Sequence, residues 1–575
     1  MRQPEWLAAI VITLTVIGFH FYFLLHAGGC WRDEVNLLNV ATQHSIAEMT
    51  RDSFPLLMPL LVKIWTALGL GATDINLRLL GTLIGLGGVA SLWLAAWTAR
   101  RSPPLIGLAL FALNSTAITF GDELRAYGLG SLMIALLFAA AVSFLKQPSV
   151  KRAMLTALFA VLAVQSLFHN AVLVGAICLS AAAVCARRKN LYAAGQMLAA
   201  GFIAAVSLLP YVQNFVAGRE TVAVLRTGFS WPRFFHELEN AVGFPWASFV
   251  YVWALLAVAV IFLAAKSFKG KPPEKSTEKI SVADVQLFAG ATLLFAVAGF
   301  LSFLWLTALP GQPWYFLPLM ILVAVCFDAV FAGRFPLIRP SATFSPSGGE
   351  GRDEGAFGSS YPCGNNVCCW TKFIFIASVV ATFFISLPVV KRDLNYRFTN
   401  LDGWAAALTS EAEPGDFAIV TPWFTGITFA HYFHGAMPWT TLPPLADHGS
   451  HRYDQVQAQM KTTNAIAPVL EKISATLRAG QRVWLLCPAD FVKQSLAAAA
   501  PPADLPAPPL PQSGWLDEPY SATWTAQTIY FFAQHGKSFR HIDAPNTDQR
   551  IAENSGLFVI EGWNDATNPP PPNAK

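Results

Sequence analysis

Charged residues are scarce in this chain. Lysine, arginine, aspartate and glutamate make up 13% of its 575 residues, whereas hydrophobic residues make up 54%. Ordinary soluble domains carry about 25% charged residues, so the composition excludes a soluble enzyme and predicts a polytopic α-helical membrane protein. The formal net charge is only +4 and no basic stripe is present, so we expect no nucleic-acid partner.

Cysteine patterns that hold a metal or a disulfide framework are also missing. Cys363, Cys368 and Cys369 share one loop, but no histidine or fourth cysteine stands there at zinc-ligand spacing. Cys487 is the single cysteine of the last region, which argues against a disulfide scaffold. That region also lacks a Gly-x-Gly-x-x-Gly fingerprint, so we expect no nucleotide site in it.

Eleven apolar segments predict eleven transmembrane helices, since a helix needs about 20 residues to cross a bilayer. The first segment follows Arg2 and has no small-residue cleavage site, which predicts a retained span rather than a signal peptide. Residues 153–186 leave a short re-entrant pair open as an alternative. The predicted spans cover residues 6–25, 79–98, 104–120, 127–145, 153–168, 170–186, 192–210, 244–265, 283–306, 313–333 and 373–390.

The loops between these segments alternate in charge. One set is rich in lysine and arginine, as in Arg100-Arg101, the run 187–189 and the loop 266–279 with its five lysines. The positive-inside rule places this set in the cytoplasm. We therefore expect a cytoplasmic N-terminus and a multi-pass protein whose residues after 390 lie on the outer face.

The chain divides by composition into two parts. Residues 1–390 form a transmembrane module, whose first outer loop, 26–78, contains segments expected to be interfacial amphipathic helices. A low-complexity cytoplasmic loop covers residues 334–372. Residues 391–575 predict an α/β domain with a disordered tail. Its predicted strands are Phe417–Thr421, Arg482–Leu486 and Leu557–Ile560, and its predicted helices are Leu401–Leu408 and Tyr453–Leu477.

Two clusters of acidic and basic residues stand at the outer ends of predicted spans. The first, Cys30–Glu34, follows the first span, and the second, Gly121–Tyr127, lies between spans three and four. Charges this close to hydrocarbon are costly unless they are paired or solvated, so the clusters favour a site at a membrane face. The alternative is that they are helix-start and hairpin residues on a wet surface. Arg125 then neutralises an acid instead of binding a phosphate.

Four further residues are candidates for contact with a substrate. His169 stands at an outer span boundary, where an interfacial histidine with satisfied hydrogen bonds is the common alternative. Tyr315 fits an aromatic belt as well as it fits a site. Arg219 and Arg226 belong to a long polar outer loop, residues 211–243, in which they are either solvated or in contact with an anion.

The order of these features resembles the GT-C superfamily of membrane glycosyltransferases. Arg32–Val35 is similar to the catalytic-loop motif of that superfamily, and Glu123–Tyr127 is similar to its second-loop motif. The resemblance is to bacterial relatives of the dolichyl-phosphate-mannose protein mannosyltransferases, the glycosyltransferase family 39 type, including the aminoarabinose transferases of lipid A. The chain departs from many relatives at Ser53–Pro55, where they have His-Pro-Pro, and at Trp314-Tyr315, where they have Arg-Tyr.

This resemblance implies an inverting glycosyltransferase of the bacterial inner membrane, with a periplasmic C-terminal domain. The enzyme would move a sugar from a polyprenyl-phosphate donor to a lipid, glycan or protein acceptor on the outer face. Asp33 is expected to be the general base, with Glu34 beside it in the catalytic loop. Arg125, Arg32 and Tyr127 are expected to bind the donor phosphate. A divalent metal ion is left open, with candidate ligands Asp122 and Glu123.

Two other functions stay open at the level of the sequence. A transporter or flippase of a lipid-linked glycan is the main alternative, but such proteins are typically built from internal repeats with ionisable groups near mid-membrane. No clear repeat is present, and the notable charges lie at span ends. The third possibility is a catalytically silent assembly or receptor protein that binds a partner through residues 391–575.

Overall fold

The fold was analysed in a computed structural model, which describes residues 3–50, 54–214, 216, 229–269, 281–308, 311–331, 365–498, 502, 517–543 and 548–565. Within these ranges, nine helices are long and apolar enough to cross a membrane. A region of strands and helices follows them. The predicted fold class, a polytopic α-helical membrane protein with a C-terminal α/β region, is therefore confirmed.

Sixteen helices precede the first strand in the described ranges. They are α1 (Gln3–His26), α2 (Arg32–Ala41), α3 (Ile46–Met49), α4 (Leu57–Trp65), α5 (Asp74–Arg100), α6 (Leu105–Gly107), α7 (Ser115–Gly121), α8 (Ala126–Lys146), α9 (Val150–Ser166), α10 (Asn170–Arg187), α11 (Leu191–Val206), α12 (Trp231–Val242), α13 (Phe249–Lys269), α14 (Val282–Thr307), α15 (Leu317–Phe331) and α16 (Asn365–Asp393). The nine candidate spans are built on α1, α5, α8, α10, α11, α13, α14, α15 and α16.

Two of the eleven predicted spans are not among these nine. Residues 153–168 correspond to α9, which has 17 residues, and residues 104–120 form a broken helix. The broken helix consists of α6, a π-helical turn over Leu108–Ala112, and α7. Asn114 starts α7 anew, because its side chain accepts hydrogen bonds from the N–H groups of Thr116 and Ala117.

Helices α8 and α15 form the centre of the bundle. In these two spans, 78% and 83% of the residues are buried, compared with 22% in α13 and α16. Small side chains let neighbouring backbones approach α8 closely. At Gly128, for example, a Cβ atom would overlap the carbonyl oxygen of Gly121.

The first outer loop contains short helices, as its apolar spacing predicts, but they are shorter than expected. Residues 34–50, one of the segments expected to be an amphipathic helix, are divided into α2 and α3. Ser45 starts α3 with a capping box, in which its hydroxyl accepts from the N–H of Glu48 and the carboxylate of Glu48 accepts from the N–H of Ser45. Helix α4 then leads through a π-helical turn, Thr66–Leu70, into α5.

The C-terminal region contains a five-stranded sheet in the order β3-β2-β4-β7-β5. Strands β3, β2 and β4 are parallel, whereas β7 runs antiparallel to β4 and β5. The elements are β1 (Tyr396–Thr399), α17 (Leu401–Glu411), β2 (Phe417–Val420), α18 (Thr425–Tyr432), β3 (Trp439–Thr441), α19 (Tyr453–Met460), α20 (Ala467–Arg478), β4 (Val483–Cys487), α21 (Ala489–Ala497), α22 (Glu518–His535), β5 (Gly536–Ile542), β6 (Arg550–Glu553) and β7 (Gly556–Trp563).

The three strands predicted in this region correspond to β2, β4 and β7, whose apolar runs are buried between the helical layers. The predicted helix Leu401–Leu408 is confirmed as part of α17. The single helix predicted over Tyr453–Leu477 is wrong, because residues 461–466 separate α19 from α20. Pro468 in the first turn of α20 fits the start of a new helix rather than the interior of a long one.

Several predictions fall outside the described residues. They concern most of the low-complexity loop 334–372, the tail 568–575, and the candidates Arg219 and Arg226.

A buried carboxylate ties α15 to the broken helix. Asp328 is 2% exposed, and its two oxygens accept hydrogen bonds from the N–H groups of Ile106 and Gly107, each at 3.0 Å. The first N–H groups of a helix have no carbonyl partner within it. The carboxylate of Asp328, on α15, accepts the hydrogen bonds of two such groups of α6. Arg100 joins the same end of the bundle, since its Nε donates to the carbonyl oxygen of Ala329 at 2.8 Å.

Replacing Asp328 tests how much these hydrogen bonds between α15 and α6 stabilise the protein. Asp328→Ala leaves two buried N–H groups without their acceptor, at about 1–3 kcal/mol for each. We expect a lower midpoint of thermal unfolding in detergent, and a smaller decrease for Asp328→Asn, which keeps one carbonyl oxygen. If Asp328→Ala unfolded at the wild-type temperature, the tie would contribute nothing to stability.

Candidate active site

A tight turn between α1 and α2 places the first charged cluster at the end of the bundle. Gly28 has a φ of 73°, and a Cβ atom there would lie 2.6 Å from Cγ of Arg397. Arg78 on α5 holds the turn, because its Nε and Nη2 donate to the carbonyl oxygens of Gly28 (3.1 Å) and Gly29 (2.6 Å). Asp33 therefore lies in the first turn of α2, directly above the bundle.

Glu34 forms a bidentate ion pair with Arg78. The Nη1 and Nη2 atoms of Arg78 donate to its two carboxylate oxygens at 2.8 and 2.6 Å. Glu34 is 0% exposed and Arg78 is 2% exposed. Burial raises the pKa of Glu34, and the guanidinium of Arg78 opposes that rise. A catalytic role for Glu34 stays a prediction, and its contacts favour a structural one.

The same carboxylate joins the two charged clusters. Oε1 of Glu34 accepts a hydrogen bond from the backbone N–H of Leu124 at 2.9 Å. The indole N–H of Trp31, on the first cluster, donates to Oε1 of Glu123, on the second, at 2.6 Å. Two segments about 90 residues apart in sequence are thereby fixed against each other.

Asp33 lies among three cationic or hydrogen-bonding side chains. Its Oδ2 is 2.9 Å from Nη1 of Arg125, and its Oδ1 is 2.9 Å from Nε2 of His451 and 3.6 Å from Nε of Arg32. Burial alone would raise the pKa of Asp33, but Arg125, followed by His451 and Arg32, outweighs burial and holds it well below its usual range. Asp33 is therefore ionised in this state.

Aromatic rings surround the guanidinium of Arg125. Its Cζ lies 4.8 Å from the ring centroid of Tyr127, 5.5 Å from that of Phe54, and 6.0 Å from those of Trp31 and Trp314. Within the described part of the chain, Nε and Nη1 make no hydrogen bond, although Nη1 is ion-paired with Asp33. Arg125 thus keeps donor capacity for an anion in a largely apolar enclosure.

Glu123 is the second carboxylate beside Arg125, at 3.7 Å from Oε1 to Nη1. Burial raises its pKa to about 8, against the opposing effect of Arg125, and the neighbouring carboxylates add to the rise. Its Oε2 has no hydrogen-bond partner among the described residues. Burial thus favours the protonated form of Glu123, and Asp33 is the nearer carboxylate to Arg125.

Asp122 points away from this group and into the bundle. Both of its oxygens lie within 2.8 Å of Nδ1 of His20, which is on α1. Helix α5 packs tightly against this pair, because a Cβ atom on Gly85 would overlap Oδ1 of Asp122 and one on Gly81 would overlap its carbonyl oxygen. Asp122 therefore anchors the turn that carries Arg125.

His169 and Tyr315 border the site next to Tyr127. The ring centroid of His169 lies 6.4 Å from that of Tyr127 and 6.2 Å from that of Tyr315. Burial lowers the pKa of His169 to about 4, so this imidazole is neutral. Its Nε2 has no hydrogen-bond partner in the described ranges. Both candidates thus lie where they could contact a ligand of Arg125.

The C-terminal sheet covers the site with one of its edges. Parallel pairing puts the carboxyl ends of β2, β3 and β4 on that edge, where loops of parallel sheets commonly bind ligands. The ring centroid of Phe424, a residue after β2, lies 4.1 Å from Cζ of Arg32. Oε1 of Glu553, at the end of β6, lies 3.9 Å from Nε of Arg32, and burial raises the pKa of Glu553 to about 7.

Among the residues that the structure describes, no set of ligands is present for the divalent metal ion that the sequence left open. The described residues contain no group of three or more histidine, cysteine, aspartate or glutamate side chains that could hold one. The candidate Asp122 is paired with His20, and the candidate Glu123 accepts from Trp31 and faces Arg125. We derive no step through a metal.

The predicted clusters do come together, and the structure adds partners that the sequence analysis missed. Asp33, Glu34, Arg32, Arg125 and Tyr127 meet in one site. The missed residues are Arg78, His20, His451, Phe424 and Glu553. An arginine at the start of an apolar segment, such as Arg78, was a usable signal, whereas nothing in the local sequence marks His451.

Comparison with known proteins was made on sequence and on structure. No protein-family model matches this chain, and no curated protein matches it by sequence. Its structure is similar to ArnT from Cupriavidus metallidurans bound to undecaprenyl phosphate, at 11% identity over 96% of this chain and 97% of that one, with a TM-score of 0.47.

Two further structures are similar at comparable levels. The Archaeoglobus fulgidus oligosaccharyltransferase in complex with zinc and sulfate has 9% identity over 95% of this chain and 74% of its own, with a TM-score of 0.48. The arabinofuranosyltransferase AftD from Mycobacteria has 12% identity over 97% of this chain and 40% of its own, with a TM-score of 0.41. The function proposed below rests on the chemistry of the site itself.

The contact between α5 and Asp122 can be tested with two glycines of one helix. Gly85→Ala places a methyl group on the Asp122 carboxylate, and overpacking of this kind costs about 1–3 kcal/mol. At Gly88, a Cβ atom meets no atom within 4 Å, so Gly88→Ala is the matched control. We expect a lower thermal midpoint for Gly85→Ala alone, and equal midpoints would contradict the packing described here.

Proposed function

We propose that this protein is an inverting glycosyltransferase that uses a polyprenyl-phosphate sugar as donor. The observation that supports it best is the ion pair of Asp33 and Arg125, enclosed between the end of a helical bundle and the edge of an α/β sheet. Such a transfer needs an anion beside the reacting carbon and a cation beside the leaving phosphate. The site holds one of each, and their charged atoms lie 2.9 Å apart.

Arg125 is the proposed phosphate ligand. Its planar guanidinium suits paired hydrogen bonds to phosphate oxygens, and the rings around it exclude water, which strengthens a charge interaction. Arg32 is the second cation, at 3.6 Å from Asp33. Tyr127 stands beside Arg125, with its hydroxyl 3.4 Å from Nη2. No proton donor is needed, because a lipid phosphate leaves as an anion.

Asp33 is the proposed general base for an acceptor hydroxyl. In the present state Arg125 holds its pKa down, which weakens it as a base. A donor phosphate that draws Arg125 away removes that effect, so donor binding raises the basicity of Asp33 when the acceptor needs it. A single displacement by the acceptor oxygen inverts the anomeric carbon.

We further propose that this chemistry takes place on the outer face of a bacterial inner membrane. The proposal rests on the alternation of basic loops. Three of these basic residues, Arg100, Lys146 and Arg187, are at the C-terminal ends of α5, α8 and α10. The N-terminal ends of the same helices are the ends near the Asp33 site. The acceptor is a lipid, a glycan or a protein, and membrane lipids surround the bundle.

Replacing Arg125 tests the donor site through undecaprenyl phosphate, a sugar-free probe. Charge-assisted hydrogen bonds contribute about 1.5–3 kcal/mol, so Arg125→Ala should raise the dissociation constant about 10–100-fold in calorimetric titration of the detergent-purified protein. Arg125→Lys keeps the positive charge but loses the planar guanidinium that makes paired hydrogen bonds. We therefore expect its dissociation constant to lie between those of the wild type and Arg125→Ala. Arg392→Ala, at a 70% exposed side chain, is the control. An unchanged constant in Arg125→Ala would assign the phosphate to another cation.

Replacing Asp33 tests transfer itself, whichever sugar the donor carries. Mass spectra of envelope lipids and glycans are compared between cells that lack the protein, cells that make the wild type and cells that make Asp33→Asn. We expect at least one glycosylated species to depend on the wild type. Asp490→Asn, at a 90% exposed side chain, is the control. The same species at normal level in Asp33→Asn cells, with normal amounts of protein in the membrane, would remove Asp33 from the reaction.

A further inference from the structure

A loop of the C-terminal region runs along α2 and reaches Asp33. It follows β3 at the carboxyl edge of the sheet. The side chain of Asn39 donates from Nδ2 to the carbonyl oxygen of Gly449 at 2.8 Å, and Oδ1 of Asn36 accepts from the backbone N–H of His451 at 3.3 Å. These contacts use backbone atoms of the loop, so they persist whatever side chain position 451 carries.

The imidazole of His451 is held in place by two rings. It stacks on Tyr453 at 5.6 Å and 8°, and it meets the edge of Trp423 at 6.2 Å. Trp423 is itself fixed, because its Nε1 donates to Oδ2 of Asp517 at 2.7 Å. The imidazole therefore presents Nε2 to Oδ1 of Asp33, at 2.9 Å, from a restrained position.

The chemistry of the pair fixes which atom carries the hydrogen. An ionised carboxylate only accepts hydrogen bonds, so Nε2 of His451 is the donor to Asp33. Nδ1 is buried and has no hydrogen-bond partner among the residues described. The ring hydrogen that makes the contact with Asp33 is therefore the one on Nε2.

We propose that His451 is a positioning residue for Asp33, which holds Oδ1 and leaves Oδ2 as the oxygen that acts on the acceptor. This inference rests on the proposed glycosyl transfer. It assigns the C-terminal region a part in the reaction centre. Arg125 contacts Oδ2 in the free protein. A donor phosphate that binds Arg125 frees that oxygen, while His451 holds the carboxylate in the same position.

The transfer step then balances. The acceptor oxygen forms a bond to the anomeric carbon, and its O–H bond breaks as the proton passes to Oδ2 of Asp33. The bond between the anomeric carbon and the phosphate oxygen breaks, and its electron pair leaves with the lipid phosphate. Asp33 returns the proton to water after the product has left.

The charged and titratable groups that face Asp33 come from every element packed on it. The cations lower the pKa of Asp33, the two carboxylates raise it when they are ionised, and the tyrosines are uncharged near neutral pH. The groups are Arg32 from α2, Glu123 and Arg125 from the turn before α8, Tyr127 from α8, Tyr315 from the turn before α15, His451 from the loop after β3, Tyr453 from α19, and Glu553 from β6.

The test measures initial rates of transfer in membranes from cells that make each variant. The product followed is the species that the Asp33→Asn comparison identifies. We expect His451→Ala to lower the rate by up to about 100-fold, because misplacing a reacting group by about 1 Å can cost that much. We expect His451→Gln to restore most of it, because the amide nitrogen can donate to Oδ1. The dissociation constant of undecaprenyl phosphate should stay unchanged in both.

The pH profile provides a readout that a purely structural role would not move. His451 lowers the pKa of Asp33, so its removal raises that pKa. The acid limb of the rate profile should therefore move to higher pH in His451→Ala and return toward the wild-type position in His451→Gln. His434→Ala, at an exposed histidine of the same region, is the control and should match the wild type throughout.

The outcomes separate the two levels of the proposal. A wild-type rate and pH profile in His451→Ala, beside an inactive Asp33→Asn, would overturn the role of His451 alone. Equal losses in His451→Ala and His451→Gln, with an unmoved acid limb, would also overturn it, because the loop would then act only through its fold. Identical products from cells with and without the wild-type protein would overturn the glycosyl transfer itself.

Discussion

The ion pair of Arg78 and Glu34 is the interaction on which the geometry of the site depends. A buried guanidinium without partners is strongly unfavourable, and Arg78 meets this constraint with both oxygens of Glu34 and the carbonyl oxygens of Gly28 and Gly29. The turn after α1, the start of α2 and the backbone of Leu124 are therefore held together by one network. Asp33 and Arg125 face each other because their neighbours in sequence belong to it.

The site concentrates charge on side chains that are buried or half-buried. The membrane bundle lies below, and the carboxyl edge of the C-terminal sheet lies above. Each charge therefore has an assigned partner: Asp33 has Arg125, Arg32 has Glu553, and Asp122 is paired with a histidine in the bundle. A site of this kind is ready for a ligand that exchanges one ion pair for another, since a phosphate can replace a carboxylate on a guanidinium.

Much of the fold follows from periodicity and composition. Apolar length predicted every helix that later proved long and apolar enough to span, and three buried strands were found from short apolar runs. Errors arose where local caps decided the outcome. Asn114 and Pro468 interrupt segments that are apolar or helical on average, and a window average does not register a single capping residue. The clusters around Asp33 and Arg125 were visible as charges beside hydrocarbon, because that placement is costly.

The sequence by itself determined the membrane bundle, the α/β class of the last region and the two charged segments that meet. Only the tertiary structure decided which charges pair. Neighbouring carboxylates at 33 and 34, or at 122 and 123, look equivalent along the chain, yet the folded backbone points one of each pair into the bundle network and the other toward the site. His451 reaches Asp33 from 418 residues away, and contacts at that separation come from sheet order and domain packing, which no local pattern encodes.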